Sequence, residues 1–484
     1  ENNDFRKKFL ERVGHRIYDG WLRGKKNEWV RVSFLGAARE VGRSCILVQT
    51  PESRIMMDCG INVASEENAY PLLESPDFDI KELDAVIISH AHLDHSGFLP
   101  YLFKYGYDGP VYCTEPTRDI MALLQLDYIG IAAKDAKKAI YSSTDIKEMV
   151  KHTIPIGFEE VTDITPDIRL TFYNAGHTIG SCQTHLHIGN GLHNLVYTAD
   201  MLYETSNLLS AATTKFPRLE TLIIEATYGG KNDIYPPRRE AELFLMEIIK
   251  NTIKRGGKVL LPVLGVGRAQ EIQIILDTAV KSGEMDKVPV YIQGMVWDVT
   301  AIHTAYPDFF NAKVKKNIFH KDQNPFLSEI FKRVAGQKEM MEVIDYEGPC
   351  IIMATSGMLT GGPSVEYLKH LANDSRNSLV LNSYQGEGSL GRRLQNGDRQ
   401  LYFQSGEKQE MIEVKMEIFS IHSFTGHSNR QQLQNFIYKL QPKPKRIITQ
   451  HGESSRCLEL ASDMHKMAKI ETSAPRNLEA LRIR

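Results

Sequence analysis

Four side chains able to bind a metal ion fall within six residues in His90-Ala-His92-Leu-Asp94-His95. They follow directly on the apolar run 85–89. Imidazole and carboxylate suit zinc. If the backbone leaves a strand into a loop here, alternate residues converge on one point and the next two reach a second. Two centres held by one loop lie close enough to share a bridging water. With 16 histidines in 484 residues, three in one short window beside an aspartate are hard to ascribe to a chance polar turn.

One loop cannot close two tetrahedral sites, so further donors must come from elsewhere. His177 in Asn174-Ala-Gly-His177, Asp200 in Val196-Tyr-Thr-Ala-Asp200 and His451 in Ile448-Thr-Gln-His451 each stand where an apolar strand meets a turn. That is where an antiparallel sheet scaffold presents ligands on loops. Taken singly, each reads as an ordinary hydrogen-bonded turn residue; joined to the first cluster, they read as a metal centre.

The elements that must position these residues are legible from periodicity. Short strands at 30–34, 45–48, 54–58 and 85–89 are punctuated by Gly36, Gly42 and Gly60. Helical stretches follow near 114–126 and 144–151, then strands at 168–174, 182–188, 194–198 and 221–225. Beyond Glu225 helices and strands alternate: helix 238–255, strand 258–262, helix 268–281, strand 288–292, then 350–354, 365–371 and 378–381. This implies a separate, largely parallel α/β system. The strand-then-helix pattern resumes at 416–421, 430–440 and 446–449. The stretches 203–217 and 312–325 read as the least structured. Residues 4–23 form an amphipathic helix with a basic polar face (Arg6, Lys7, Lys8, Arg12), read as solvated or as a connector to a preceding module.

With the early Asp58 of Met56-Met-Asp58-Cys-Gly60, these motifs resemble the metallo-β-lactamase superfamily. The insertion after Glu225 and the late motifs Ser423-Phe-Thr-Gly-His427 and Gln450-His451-Gly-Glu453 resemble its β-CASP nuclease branch, in particular the archaeal members of the cleavage and polyadenylation specificity factor group. Gly265-Val-Gly-Arg268-Ala-Gln270-Glu271 and Ser356-Gly-Met358-Leu-Thr-Gly361-Gly362 share in the likeness, which spans essentially the whole chain. It implies an α/β protein: a four-layer αββα metallo-β-lactamase fold with an inserted α/β domain carrying a mainly parallel sheet. The divisions expected are 1–29 (helix and linker), 30–225, the insertion 226–422, and 423–484.

The resemblance also assigns roles. His90, His92 and His177 hold one Zn²⁺; Asp94, His95 and His451 hold the other; Asp200 bridges them. Asp58 orients a ligand, and Glu225 steadies His427, the candidate proton donor. Histidine rather than an aliphatic residue at 451 favours RNA over DNA. The implied activity is hydrolysis of single-stranded RNA to 5′-phosphate and 3′-hydroxyl ends, endonucleolytic with 5′-to-3′ exonuclease action also open. The setting would be 3′-end processing, transcription termination or decay, in an archaeal cytoplasm and in contact with that machinery. Archaeal relatives carry K-homology domains ahead of the nuclease and pair through the C-terminal region. A homodimer and a missing N-terminal module are therefore expected. The alternatives are a catalytically inactive processing scaffold, disfavoured because all seven ligands are kept, and a small-molecule metallohydrolase, disfavoured by the insertion.

Weaker signals fall mostly in the insertion. Arg268 at a helix start, the small-residue loop Ser356, Gly361, Gly362 and Ser364, and the pair Arg392 and Arg393 are candidate RNA contacts. The insertion would have to close over the metal residues to form a cleft that admits a single strand. His185 and His187 share one strand face and read as structural, as does His422.

Composition sets the outer bounds. Hydrophobic residues at 42% and charged residues at 24% are ordinary for a globular chain of this length, which suits two or three domains. The net charge of -2 excludes a blanket polybasic protein, so any nucleic-acid surface must be local. No apolar run is long enough to cross a membrane. Six scattered cysteines form neither a disulfide framework nor a thiolate zinc knuckle.

Overall fold

The computed structural model describes residues 2–22, 28–65, 67–134, 136–383, 385–386, 388–405, 408–421 and 424–484; His422 and Ser423 lie outside the described residues. The chain divides into two compact units. One comprises Glu1–Thr205, Ser210–Ile234 and His427–Arg484, the other Ser206–Leu209 and Tyr235–Gly426. The insertion read as 226–422 thus corresponds to a unit that begins at Tyr235 and ends at Gly426.

The first unit is built on two seven-stranded sheets. The order in one is Ala480–Arg482, Arg31–Gly36, Cys45–Gln49, Arg54–Met57, Ala85–Ile87, Val111–Cys113, Thr153–Pro155. The other runs Glu471–Ser473, Arg446–Gln450, Thr221–Glu225, His193–Tyr197, Cys182–Ile188, Ile168–Asn174, Val161–Thr165. Their facing sides share one core, with Val32, Phe34, Ile46 and Val48 from the first meeting Leu170, Phe172, Leu186 and Leu195 from the second. Strands such as Cys45–Gln49 are buried at every position because a helical layer covers the other face, which is why they read as unbroken apolar runs. Over the second sheet that layer is Arg430–Lys439 and Ser454–Ala468, through Leu433, Phe436, Cys457 and Leu460. Beside the first sheet are Leu99–Lys104, Glu115–Lys134 and Ser143–His152, with Leu99, Ile120, Met121 and Met149 buried. The result is the expected four-layer αββα arrangement.

One expectation is corrected. The strands that carry the chemistry are largely parallel, not antiparallel: Ala85–Ile87 runs parallel to both Arg54–Met57 and Val111–Cys113. Thr221–Glu225 likewise runs parallel to His193–Tyr197 and Arg446–Gln450. Parallel neighbours need crossover segments, and those crossovers bring successive C-terminal strand ends to one edge of the sheet. The N-terminal helix Asn2–Leu22 is amphipathic, as its periodicity implies, with Lys7 and Arg12 of the polar face exposed. Phe9 is buried, and the rings of Phe5 and Phe9 lie 5.0 and 5.3 Å from that of His152.

The second unit has a six-stranded sheet, Phe331–Val334, Val290–Gln293, Cys350–Ala354, Lys258–Pro262, Ser378–Leu381, Glu417–Ser420, parallel throughout. Helices Arg238–Lys254 and Arg268–Lys281 cover one face and Gln337–Asp345 and Pro363–Leu371 the other. The stretch 312–325, read as irregular, contains the helix Ala312–Lys321, started by the Asn311 side chain accepting from Val314 N. Its lysines obscure the pattern, since Val314 alone among its residues is buried. No described helix is long and apolar enough to cross a membrane, and all six cysteines are buried and free.

Phe436 is fully buried between its helix and the second sheet. Phe436→Ala is expected to cost about 3–5 kcal/mol, seen as an earlier midpoint in urea unfolding followed by circular dichroism.

Candidate metal centre

The cluster forms where Ala85–Ile87 ends. His92 caps a single helical turn, Leu93–Ser96, which carries Asp94 and His95. That turn sits against the segment after Arg54–Met57 so closely that a Cβ on Gly60 would lie 1.8 Å from the Asp94 carbonyl oxygen; only glycine fits there. His177 occupies the turn between two antiparallel strands, its N–H donating to Ser181 Oγ at 3.1 Å. Asp200 follows His193–Tyr197, and His451 follows Arg446–Gln450 with a left-handed φ of 50°.

The structure brings all seven candidate ligands together. His90, His92, His177 and Asp200 offer ligand atoms within 4.8 Å of one another, and so do Asp94, His95, Asp200 and His451. Asp200 belongs to both groups. Its Oδ2 lies 3.6 Å from His90 Nε2 and 3.8 Å from His177 Nε2, while Oδ1 lies 3.4 Å from His95 Nε2 and 3.0 Å from His451 Nδ1. Asp94 Oδ2 is 3.4 Å from His451 Nε2. His90 Nε2, His451 Nε2 and Asp200 Oδ1 are buried without a hydrogen-bond partner. Leaving such atoms dry and unpaired is costly, and a cation among them removes the cost. An all-nitrogen and oxygen set with one shared carboxylate fits a pair of zinc-like ions.

Asp58 sits behind His95. Its Oδ2 accepts from His95 Nδ1 at 2.7 Å, from Ser89 Oγ at 2.8 Å and from Tyr197 OH at 2.8 Å, and its Oδ1 accepts from Ser89 N at 2.8 Å. These bonds fix the ring so that Nε2 faces the cluster. Ser89 and Tyr197 escaped the sequence reading, although Tyr197 shows there as a polar residue inside an apolar strand. At the other side, His427 Nδ1 lies 2.9 Å from Glu225 Oε2 and its Nε2 is 3.9 Å from Asp200 Oδ2. Glu225 is fully buried, and its Oε1 accepts from Met201 N at 2.6 Å.

Electrostatics splits the cluster. Burial lowers His90, and it holds His92 down at about 4, so both rings are neutral at pH 7. Burial would also lower His451 and His95, but the carboxylates around them outweigh it. Asp200 and Asp94 push His451 up to about 10, and Asp200, Asp94 and Asp58 raise His95. His427 is raised too, by Glu225 and Asp200 against burial. Burial works against the charged forms of Asp94 and Asp200, yet neighbouring histidines hold both carboxyls below the usual range.

The candidate RNA contacts all belong to the second unit and are engaged locally. Arg268 Nη1 donates to Asn382 O at 3.2 Å; Ser356 Oγ donates to Gly361 O and Ser364 Oγ to Ser356 O; Arg393 pairs with Asp398 at 2.7 Å. Gly361 and Gly362 have φ of 153° and 77°, and Arg392 N donates to the capping Ser389 hydroxyl. His185 and His187 bond to Arg218 O and Asn194 Oδ1, away from the cluster.

A protonated imidazole cannot ligate, so the two trios should load metal differently. His451, at about 10, must lose a proton at pH 7, whereas His92, at about 4, need not. Zinc titration of the metal-free chain in weak buffer should release protons mainly on filling the Asp94, His95 and His451 position. Affinity there should fall about tenfold per pH unit for each proton displaced as pH drops from 8 to 6, whereas His90 and His92 displace no proton in that range. The same sign governs the metal-free fold. The stabilisation from raised His451 is complete below pH ~6.5 and is lost as pH rises through about 10.

Residues 38–247 match the metallo-beta-lactamase superfamily, residues 269–394 the Beta-Casp domain and residues 411–475 the Zn-dependent metallo-hydrolase RNA specificity domain. The chain is 54% identical over 480 residues to the transcription termination factor FttA of Methanocaldococcus jannaschii, covering 99% of this chain and 75% of that protein. It is 51% identical over 488 residues to FttA of Pyrococcus abyssi, covering 99% and 75%. A crystal structure of a protein of unknown function from Enterococcus faecalis V583 resembles it with a TM-score of 0.58 at 12% identity, over 94% of this chain and 100% of that one, a likeness of fold alone. The chain belongs to the β-CASP metallo-hydrolases of the metallo-β-lactamase superfamily, in the family of the archaeal FttA proteins.

Proposed function

We propose that the chain is a di-zinc ribonuclease that cuts single-stranded RNA to 5′-phosphate and 3′-hydroxyl ends, acting in transcription termination or RNA 3′-end processing. His90, His92 and His177 would hold one ion, Asp94, His95 and His451 the other, with Asp200 between. When bound, the two ions supply Lewis-acid stabilisation of charge on the phosphoryl oxygens and an acidified water as nucleophile.

The observation that carries this reading is the placement of His427. Glu225 occupies its Nδ1 at 2.9 Å, which leaves Nε2 directed at the cluster, 3.9 Å from Asp200 Oδ2. A ring so fixed, its pKa raised by Glu225 and Asp200 against burial, sits in surroundings that favour a proton on Nε2. It can deliver that proton to the departing 3′ oxygen. Met201 N, bonded to Glu225 Oε1, keeps the carboxylate from turning away. A small acyl substrate would also draw on the metal cluster, but a ribose oxygen is a poor leaving group that gains most from a dedicated acid. RNA as the substrate is further supported by the match of residues 411–475, a segment that includes His427 and His451, to an RNA specificity domain. Termination is supported by the likeness to the FttA relatives, which are transcription termination factors.

The test uses 5′-labelled single-stranded RNA and zinc-loaded protein. His427→Ala should lower cleavage by about 10²- to 10⁴-fold with zinc content unchanged, and Asp94→Ala should lower both. Internal cuts with 3′-hydroxyl ends are expected, and successive removal from the 5′ end would add exonuclease action. Cleavage that survives both substitutions, or equal cleavage of a perfect duplex, counts against the reading.

A further inference from the structure

We infer that the loop between strands Arg31–Gly36 and Cys45–Gln49 sets the occupancy of the metal position formed by Asp94, His95 and His451, with Arg43, Glu40 and Asn477 as its positioning residues. The inference rests on the two-zinc reading above.

This loop reaches all three residues of that trio. Ser44 N donates to Asp94 O at 2.8 Å, and Ser44 Oγ lies 3.4 Å from His95 Nε2. Ala37 O accepts from His451 N at 2.7 Å, and Glu40 O accepts from the neighbouring Gly452 N at 3.1 Å. The other trio is held elsewhere. His90 Nδ1 lies 3.1 Å from Ser89 Oγ, and the His177 N–H donates to Ser181 Oγ. His451 also needs the support more than its partners do, because its φ of 50° is unfavourable for a residue with a Cβ and persists only when its surroundings impose it. Ala37 O holds it from one side. Ala226 N at 3.2 Å and Thr227 Oγ1 at 3.1 Å donate to its carbonyl from the other.

The loop can act as a clamp because it is itself closed tightly. A Cβ on Gly36 would lie 1.9 Å from Arg43 O, and Gly42 has a φ of 98° with the Asn62 side chain against it. Its side chains lock the closure. Arg43 Nε and Nη2 donate to the two oxygens of Glu40 at 2.6 and 3.2 Å, a two-pronged pair of the strong kind. Arg43 Nη1 donates to Tyr70 O at 3.1 Å. Asn477 joins the loop to the chain's final turn: its Nδ2 donates to Glu40 Oε1 at 2.7 Å and its Oδ1 accepts from Ala38 N at 3.0 Å. Arg43 is 5% exposed, so removing Glu40 would strand its charge with little water, while removing Arg43 frees the partly exposed Glu40 from its two-pronged hold on the loop. None of these three side chains is among the seven candidate donors. They act through the backbone groups of Ala37, Glu40 and Ser44.

The test is a zinc titration of the full chain, stripped of metal and then loaded in competition with a chromogenic chelator, which resolves the two uptake steps. His451→Ala identifies which step belongs to the clamped position. Arg43→Ala is expected to weaken that step about 10- to 100-fold while the other step holds, and Arg43→Lys to recover part of the loss. Asn477→Ala, at a half-buried neutral residue, should shift the same step in the same direction, and serves if Arg43→Ala fails to fold. A mere structural staple would weaken both steps together or neither, and either result in a folded variant overturns the inference. Wild-type protein that takes up only one ion overturns the two-zinc reading instead.

Discussion

Asp200 is the constraint on which the rest of this structure depends. Its two carboxylate oxygens face five imidazoles, three at Oδ2 and two at Oδ1, with 2% of its surface exposed. A carboxylate this deeply buried is tolerable only if its charge is met. The surroundings meet it unevenly: Oδ1 and two of the imidazole nitrogens of the cluster have no hydrogen-bond partner. A cation placed among these atoms would complete them.

The fold answers that constraint through strand direction. Asp58, His90, Asp200, Glu225 and His451 come at or just after the C-terminal ends of five strands, which fall into two parallel neighbour sets, one of two strands and one of three. Parallel pairing gives them a common edge without any of them needing to be near another in sequence. His177 arrives by a different route, on the turn of an antiparallel pair. The donors therefore rest on backbone whose position is set by the core between the sheets, and the loops have only to turn the side chains inward.

Much of this was legible in the sequence because ligand chemistry is sparse and strands are short. The six-residue run from His90 to His95 gathers four metal-capable side chains, and the distant partners stand out as polar residues ending apolar runs. Strand direction was not legible, since periodicity gives the same alternation for either pairing; that is why an antiparallel scaffold was expected. Of the residues that act on the donors rather than as donors, the motifs indicated Asp58 and Glu225 but not the uncharged ones. Ser89, Tyr197, Thr227 and Asn477 are common residue types whose meaning lies in a few hydrogen bonds that only the fold brings about. The helix Ala312–Lys321 was hidden for a compositional reason: with Val314 alone buried, it lacks the apolar stripe that periodicity detects.

The two halves of the cluster differ in a way that follows from their carboxylates. The trio of His90, His92 and His177 holds no acid of its own and shares only Asp200, so desolvation dominates and burial lowers His90 and His92. The other trio contains Asp94 and is backed by Asp58, so its imidazoles sit in a field that favours protonation despite burial. Without metal, burial favours the neutral forms of His90 and His92 in the first half, and the carboxylates favour the charged forms of His95 and His451 in the second. The second is also the half whose members are gripped through the backbone, by Ala37, Ser44, Ala226 and Thr227. Holding His451 at a left-handed φ keeps the geometry required for a cation in place before one arrives.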